Sequence, residues 1–371
     1  MTTESQYAAG SHPDLPPPPS MVGVVGWLRA NLFSNTFNSL LTIFACYLIY
    51  LLVPPVISWA FIYADWSGDS RESCTSGGAC WVFINARLGQ FIYGFYPMEE
   101  RWRIDTTFIL LVLLLVPMFI DRFRYKGWLG AVILFVYPVI SFFLLAGGSF
   151  GLKEVETPLW GGLSLTLIIS IVGIVGSFPI GLLLALGRRS KMPAVSAFCT
   201  GFIELWRGVP LITVLFMSSV MFPLFLPDGV NFDKLIRALV GVTLFSAAYM
   251  AETVRGGLQA IPKGQYEGAE ALGLTYWKSM SFIILPQALK HVIPGIVGNF
   301  IALFKDTTLV LIIGLFDFLG IVQAASTDPK WLGYSVEGYA FCAFVYWVFC
   351  FGMSQYSQSV ERKFDTGHKK R

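Results

Sequence analysis

Long uninterrupted apolar segments dominate this sequence and constrain its fold more than any other feature. A membrane-spanning helix needs about 20 apolar residues. Eight segments approach or exceed that length, at residues 37–63, 106–120, 128–147, 159–186, 198–226, 235–251, 287–315 and 338–353. The second is short, whereas the fourth, fifth and seventh are long enough to tilt or to break at proline or glycine. We therefore predict an all-α, polytopic membrane protein with about eight transmembrane helices.

The composition supports this prediction and excludes several classes of protein. Hydrophobic residues make up 55% of the 371 residues and charged residues 13%, whereas soluble domains carry about 25% charged residues. So few charges cannot cover a water-exposed surface, so most of the chain must face the lipid bilayer or other embedded helices. Soluble enzymes, nucleic-acid-binding proteins and disordered scaffolds are excluded.

Basic residues predict the orientation of the chain in the membrane. If eight spans alternate, four basic clusters fall on one side, which the positive-inside rule identifies as the cytoplasm. The clusters are Arg122, Arg124 and Lys126; Arg188, Arg189 and Lys191; Lys263 and Lys278; and Arg362, Lys363, Lys369, Lys370 and Arg371. Both termini are then cytoplasmic, with a Pro-rich tail at 1–36, no cleavable signal peptide, and a basic tail at 361–371. The loop at 64–105 is extracytoplasmic.

The extracytoplasmic loop carries two cysteines in a polar setting. Cys74 and Cys80 flank a short Thr-Ser-Gly-Gly-Ala segment. A disulfide is plausible there because disulfides persist in oxidising compartments. The spacing alone does not establish the bond, so a free pair stays open.

The same loop is dense in aromatic residues. They are Trp81, Phe83, Phe91, Tyr93, Phe95 and Tyr96. Aromatic residues beside a span are typical of a belt at the membrane interface. We favour that interpretation over a docking surface.

The connection between spans six and seven has the pattern of a short helix on the cytoplasmic surface. Pro262 ends one helix or starts the next. Residues 265–272 are helix formers, and Gly273 permits a sharp change of direction. A second helical stretch is expected to stop before Pro286. Small residues on the first helix favour close packing against a soluble partner.

The same segment carries a family pattern. It reads Glu267-Gly268-Ala269, three residues, Gly273, nine residues, Ile283, one residue and Leu285-Pro286. This pattern resembles the EAA loop of ATP-binding-cassette (ABC) importer permeases. Gly268 departs from the pattern, which has alanine there. In that family the loop fits a groove on the ATPase subunit. The resemblance implies coupling roles for Tyr266, Glu267, Gly268, Ala269, Gly273, Leu285 and Pro286.

Three further segments indicate which group of importer permeases the chain resembles. They are similar to elements of the polar amino-acid (histidine/glutamine-type) permeases and lie at residues 202–211, 248–265 and 304–309. The resemblance covers 158–360, which it identifies as a type I importer transmembrane domain. The three-helix extension at 37–157 is similar to that of general L-amino-acid importer permeases.

The resemblance implies how such a chain works. It would form half of a pathway for L-amino acids across the bacterial inner membrane, with a second permease, identical or homologous. Two ATPase subunits would bind ATP and magnesium, and a substrate-binding protein would act outside. This chain has no phosphate-binding loop and no metal-ligand cluster, so we expect no ATP hydrolysis and no cofactor of its own. An ion-gradient-driven secondary transporter and a non-transporting membrane scaffold are the alternatives.

Charged residues inside the spans need partners, because each costs about 2.5–3.5 kcal/mol near mid-membrane. Glu204 and Arg207 are three residues apart, as are Glu252 and Arg255, so each pair can bond along one helix face. We favour a role in locking helices together at their cytoplasmic ends. A gate that re-pairs during transport is the alternative.

Two adjacent charges lie deeper, in span seven. Lys305 and Asp306 point about 100° apart, so they cannot both pair along one face. Either they reach other helices as ion pairs, or they line a substrate path in which Lys305 meets a carboxylate and Asp306 an amino group. Thr307 and Thr308 would line the same path or bond to backbone carbonyls.

Overall fold

The computed structural model describes residues 23–120, 122–227 and 232–364, which are almost entirely helical and contain no sheet. The α-helices are α1 (Gly23–Asn31), α2 (Thr36–Ile57), α3 (Trp81–Tyr93), α4 (Arg101–Phe119), α5 (Lys126–Ala131), α6 (Tyr137–Ala146), α7 (Gly162–Arg188), α8 (Pro193–Gly208), α9 (Leu211–Phe216), α10 (Lys234–Ala260), α11 (Lys263–Ala271), α12 (Tyr276–Ser279), α13 (Leu285–Asp306), α14 (Phe318–Ser326) and α15 (Ser335–Phe364).

The prediction of an all-α protein with eight spans is confirmed. Seven continuous helical segments of the described chain are long and apolar enough to cross a membrane, and an eighth span is a bent pair. The continuous segments are Thr36–Ile62, Met98–Phe119, Lys126–Ala146, Gly162–Arg188, Lys234–Ala260, Tyr276–Ile313 and Ser335–Lys363. The second span begins before residue 106, so the predicted loop at 64–105 is shorter than expected and itself contains α3.

The fifth span is broken. The helices Pro193–Gly208 and Leu211–Phe225 meet at an angle of 102°. Val209 between them is extended, with φ −115° and ψ 135°, because a residue before proline avoids the helical region. Pro210 then caps α9.

The seventh span corrects one expectation. The helix that follows α11 does not stop before Pro286. It continues from Tyr276 to Ile313, passing through a π turn at Met280–Ile284. Pro286 lies in the first turn of α13, directly after that π turn. The helix that begins after α11 is therefore continuous with a membrane span.

The described chain divides into two compact units. One comprises residues 23–68 and 72–82, and the other comprises residues 69–71 and 83–364. In the first unit, Cys74 and Cys80 form a disulfide with Cα atoms 5.6 Å apart. Ser76 donates two hydrogen bonds to the carboxylate of Asp65, which lower the pKa of that group.

Three of the six aromatic residues predicted to form an interfacial belt are buried in the protein instead. Phe83 and Phe91 have no exposed surface, and Tyr96 is 2% exposed. Phe83 packs against Trp331, with ring centroids 5.4 Å apart, and the Tyr96 hydroxyl donates to the Leu145 carbonyl at 2.8 Å. The belt interpretation is wrong for these three residues, because α3 turns Phe83 and Phe91 into the protein and the segment after α3 does the same for Tyr96.

Helices α7 and α10 form the centre of the second unit and approach closely at glycines of α7. A Cβ atom added to Gly181 would lie 2.7 Å from the Cβ of Met250 and 2.9 Å from the carbonyl of Ala247. A Cβ on Gly176 would lie 2.7 Å from Thr243. Small residues thus set the distance between these spans, as is usual in membranes.

Replacing Gly181 by leucine is expected to lower the stability of the purified protein by about 1–3 kcal/mol, because the packed helices must separate. Thermal unfolding in detergent measures this. Gly201→Leu is the matched control, since nothing lies within 4 Å of a Cβ at Gly201. Equal unfolding temperatures for the two variants would contradict the packing argument.

A buried carboxylate starts α14, outside the spans. Asp317 has no exposed surface and caps the helix by accepting hydrogen bonds from the backbone N–H groups of Leu319 and Gly320. Burial raises its pKa to about 6. The folded state therefore holds this proton more tightly than the unfolded chain does, so the stability contribution increases as the pH falls through 6.

Asp317→Asn keeps a capping side chain and removes the titration. Lowering the pH from 7.5 to 5 is expected to raise the unfolding temperature of the wild type relative to this variant. The difference between the two melting curves is the measurement. A pH-independent difference would show that Asp317 does not titrate in this interval.

Candidate functional site

Helix α11 is a short helix with defined ends that connects α10 to α12; it is called the elbow below. Pro262 precedes its first residue, and Gly273, with φ +66°, ends it in the left-handed conformation. The N–H of Leu274 bonds to the carbonyl of Ala269 at 3.2 Å, as in a Schellman motif. Glycine is required at this position because a side chain would strain the backbone.

One face of α11 is fixed to the spans. Ala269 is 1% exposed. The Tyr266 hydroxyl donates to the Leu258 carbonyl of α10 at 3.2 Å and accepts from Arg189, beyond α7, at 3.3 Å. Gln287 of α13 donates to Gln265 at 3.0 Å. The elbow is thus connected to three spans.

The opposite face is uncovered in the described chain. Glu267, Gly268 and Glu270 are exposed. Beyond them, Leu272 is 75% exposed and Trp277 is 63% exposed, so carboxylates and large apolar groups share one surface.

The remaining predicted coupling residues lie apart from that face. Leu285 is partly buried and packs against the core around α10, whereas Pro286 is exposed at the start of α13.

An ion-pair network joins three helices at the same end of the bundle. Glu252 of α10 accepts from Arg255 at 2.7 Å and from Arg188 of α7, and it lies 3.6 Å from Arg207 of α8. Arg188 also bonds to Glu204 of α8 at 2.9 Å. The Glu252 side chain is 16% exposed, so it is the sheltered centre of the network.

The pairing differs from the sequence expectation at one place. Glu204 and Arg207 do not pair with each other along α8; each reaches a different helix. Side chains that point toward neighbouring helices find partners there, and their spacing along one helix does not reveal this.

The adjacent charges of span seven lie in different surroundings. Lys305 is exposed and Asp306 is partly buried, and neither forms an ion pair with the described chain. Asp306 borders a cavity of about 200 Å³ between α10 and α13. Its other lining residues are Phe245, Ser246, Tyr249, Asn299, Ala302 and Leu303.

The two threonines that follow use their hydroxyls within their own helix. Thr307 donates to the Phe304 carbonyl at 2.8 Å, and Thr308 donates to the Lys305 carbonyl at 2.9 Å. Thr307 is also 1% exposed.

Comparison with known proteins identifies the family. Residues 177–366 match the model of the family described as binding-protein-dependent transport system inner membrane component. The chain is 57% identical over 357 residues to the inner membrane amino-acid ABC transporter permease protein YhdY of Escherichia coli (strain K12), covering 96% of this chain and 97% of the relative. The chain belongs to this permease family.

A second relative is consistent with that assignment. The permease is 39% identical to the glutamate/glutamine/aspartate/asparagine transport system permease protein BztC of Rhodobacter capsulatus, over 95% of this chain and 96% of the relative. The chain is also similar to a solved structure, the crystal structure of an amino acid ABC transporter with histidines. The matched region covers 54% of this chain and 92% of that chain, with 28% sequence identity and a TM-score of 0.49. The ion-gradient alternative finds no support among these relatives.

The structure brings to the candidate site residues that the sequence analysis did not single out as functional. Arg188 and Arg189 entered it only as cytoplasmic charges, yet one is a main partner of Glu252 and the other contacts Tyr266. Tyr249 and Asn299 border the same cavity as Asp306. Polar residues inside an apolar span were the available signal for Asn299.

Proposed function

We propose that this permease forms half of the translocation pathway of an ATP-driven importer of L-amino acids. The uncovered outer face of α11, on a helix otherwise fixed to the spans, carries the proposal. The relatives named as amino-acid permeases support the substrate class.

The exposed face of α11 supports the proposed partners inside the cell. Two ATPase subunits bind ATP and magnesium, and one of them docks on the acidic and apolar face of α11. An extracytoplasmic binding protein delivers the substrate. This topology puts both termini and α11 in the cytoplasm, in keeping with the basic clusters.

A second permease covers the exposed face of α13. Lys305 is exposed within the apolar span Tyr276–Ile313, and contact with lipid would be costly for its charge. A pathway shared by two permeases gives this cation water or a partner. Gly295, Gly298 and Ala302 expose the same side of α13 and permit close approach of another helix.

The contacts of α11 suggest how ATP binding moves the spans. Closure of the ATPase pair displaces α11. Tyr266 transmits the displacement to α10 and to the end of α7, while Gln265 and the continuous helix from Tyr276 transmit it to α13. The spans then alternate between access from outside and access from the cytoplasm.

Asp306 is proposed to bind the α-amino group of the substrate. Asp306→Asn is expected to reduce uptake at least about tenfold, because a charge-assisted hydrogen bond to the ammonium is lost. Uptake of labelled amino acids into proteoliposomes measures this. Thr308→Val is the control, since that hydroxyl already bonds to its own helix; equal effects of the two variants would remove Asp306 from the pathway.

Reconstitution tests the proposed function as a whole. The chain is purified from its native membrane, its associated polypeptides are identified by mass spectrometry, and the assembly is reconstituted. We expect an ATPase and a second permease to copurify, and uptake to require ATP and magnesium. Full uptake without ATP, driven by an ion gradient, would refute the proposal.

A further inference from the structure

A large apolar crevice lies far from the elbow and has no role in the proposed transport path. It occupies about 1,330 Å³ between α4, α6, α7 and the start of α10. That exceeds the roughly 300–1,000 Å³ of pockets that hold drug-sized ligands. The walls include Leu111, Phe142, Ile168 and Val172, so water would find few hydrogen-bond partners inside.

The dimensions of the crevice match one leaflet of a bilayer. Its wall on α7 runs from Ile168 to Pro179, which is about 17 Å along a helix axis. The hydrocarbon core of a membrane is about 30 Å thick, so the crevice spans about half of it. Phe142 is 51% exposed and Val172 is 39% exposed, so the crevice opens to the lipid side of the protein.

Charged groups line only one end of the crevice; along its length the polar lining is limited to Thr107 of α4 and to Tyr137 and Ser141 of α6. Among the described lining residues the charged ones are Glu154, Glu156 and Asp233, which lie in the connection between α6 and α7 and at the start of α10. No lysine or arginine is among these lining residues. By the proposed topology this end lies at the extracytoplasmic surface.

The carboxylates at this end form no ion pair with the described chain. The Asp233 carboxylate already accepts hydrogen bonds. One comes from the backbone N–H of Leu235 and caps α10, and another comes from the Thr157 hydroxyl at 2.5 Å. Glu154 and Glu156 are exposed and form no ion pair in the described residues. The buried Arg103 behind the loop is already paired with Glu100 at 2.7 Å.

We propose that this crevice binds a phospholipid of the outer leaflet, with its acyl chains between α4, α6 and α7 and a primary ammonium headgroup at Glu154 and Glu156. An ammonium donates three hydrogen bonds and suits carboxylate acceptors. A choline headgroup has no such donors, and anionic headgroups are repelled by the acidic end. The occupant is therefore a phosphatidylethanolamine-type lipid.

The first experiment tests headgroup selection. The purified assembly is incorporated into bilayers of equal parts phosphatidylethanolamine, phosphatidylcholine and phosphatidylglycerol, extracted in mild detergent, and its retained lipids are quantified by mass spectrometry. We expect the ethanolamine lipid to be enriched in the wild type. In the double variant Glu154→Gln/Glu156→Gln the enrichment of this lipid should be about tenfold lower, which corresponds to about 1.4 kcal/mol of binding free energy. Unchanged enrichment in the double variant would overturn the proposal.

The second experiment tests occupancy of the crevice. Val172→Trp fills the space and should abolish the retained lipid. Leu183→Trp is the matched control, because Leu183 lies on the same helix, is 62% exposed and does not line the crevice. Equal lipid retention by the two variants, or a polypeptide cross-linked to residue 172 in place of lipid, would refute the proposal. The glutamine variant keeps the apolar walls intact and remains informative if Val172→Trp does not fold.

Discussion

Replacing Glu267 by arginine is expected to lower ATP-driven uptake by about 100-fold or more. Glu267 is exposed on the uncovered face of α11, so the substitution leaves the fold of the permease intact. It puts a cation into the surface proposed to meet the ATPase, and a misplaced charge in an interface costs several kcal/mol. Uptake into proteoliposomes and copurification of the ATPase are the two measurements.

Gly268→Ala is the matched control for this prediction. A Cβ at Gly268 meets nothing within 4 Å, and alanine is the residue of the family pattern that Gly268 departs from. This variant should retain full uptake and ATPase binding, with a slightly more stable α11. Normal uptake by Glu267→Arg would mean that α11 is not the coupling element.

The second large effect is expected at the centre of the ion-pair network. Glu252→Gln leaves Arg188, Arg207 and Arg255 around a neutral group, with Glu204 as their remaining acidic partner. Removing one partner of a buried pair costs about 3–5 kcal/mol. Because Glu252 is 16% exposed, we expect a smaller loss, of about 2 kcal/mol. Thermal unfolding should fall by several degrees, and uptake should fall with it.

Comparison of Glu204→Gln with Glu252→Gln shows whether the network holds the helices together or acts as a gate that re-pairs during transport. Glu204 has a single partner and a side chain that is 57% exposed, so its replacement should change stability by less than about 1 kcal/mol. Equal destabilisation by the two variants would contradict the central position of Glu252. If the Glu252→Gln permease instead kept its stability and its assembly with the ATPase hydrolysed ATP without substrate, the network would be a gate.

Two corrections illustrate what local sequence rules miss. Pro286 was expected to end a helix, but a preceding π turn and its place in the first turn of α13 make it harmless. Phe83 and Phe91 were expected at the membrane interface, but α3 places both in the core. In each case the local rule was sound and the neighbouring elements overrode it.

The sequence by itself determined the all-α class, the eight spans and the position of α11. These follow from local properties, namely the length of apolar runs and the effects of Pro262 and Gly273 on the backbone. Only the tertiary structure decided that Arg188 pairs with Glu252, that Asp306 borders a cavity, and that an apolar crevice opens beside α7. Spans that are apolar all round carry no periodicity to indicate which faces meet, so contacts between distant segments emerge only when the helices pack.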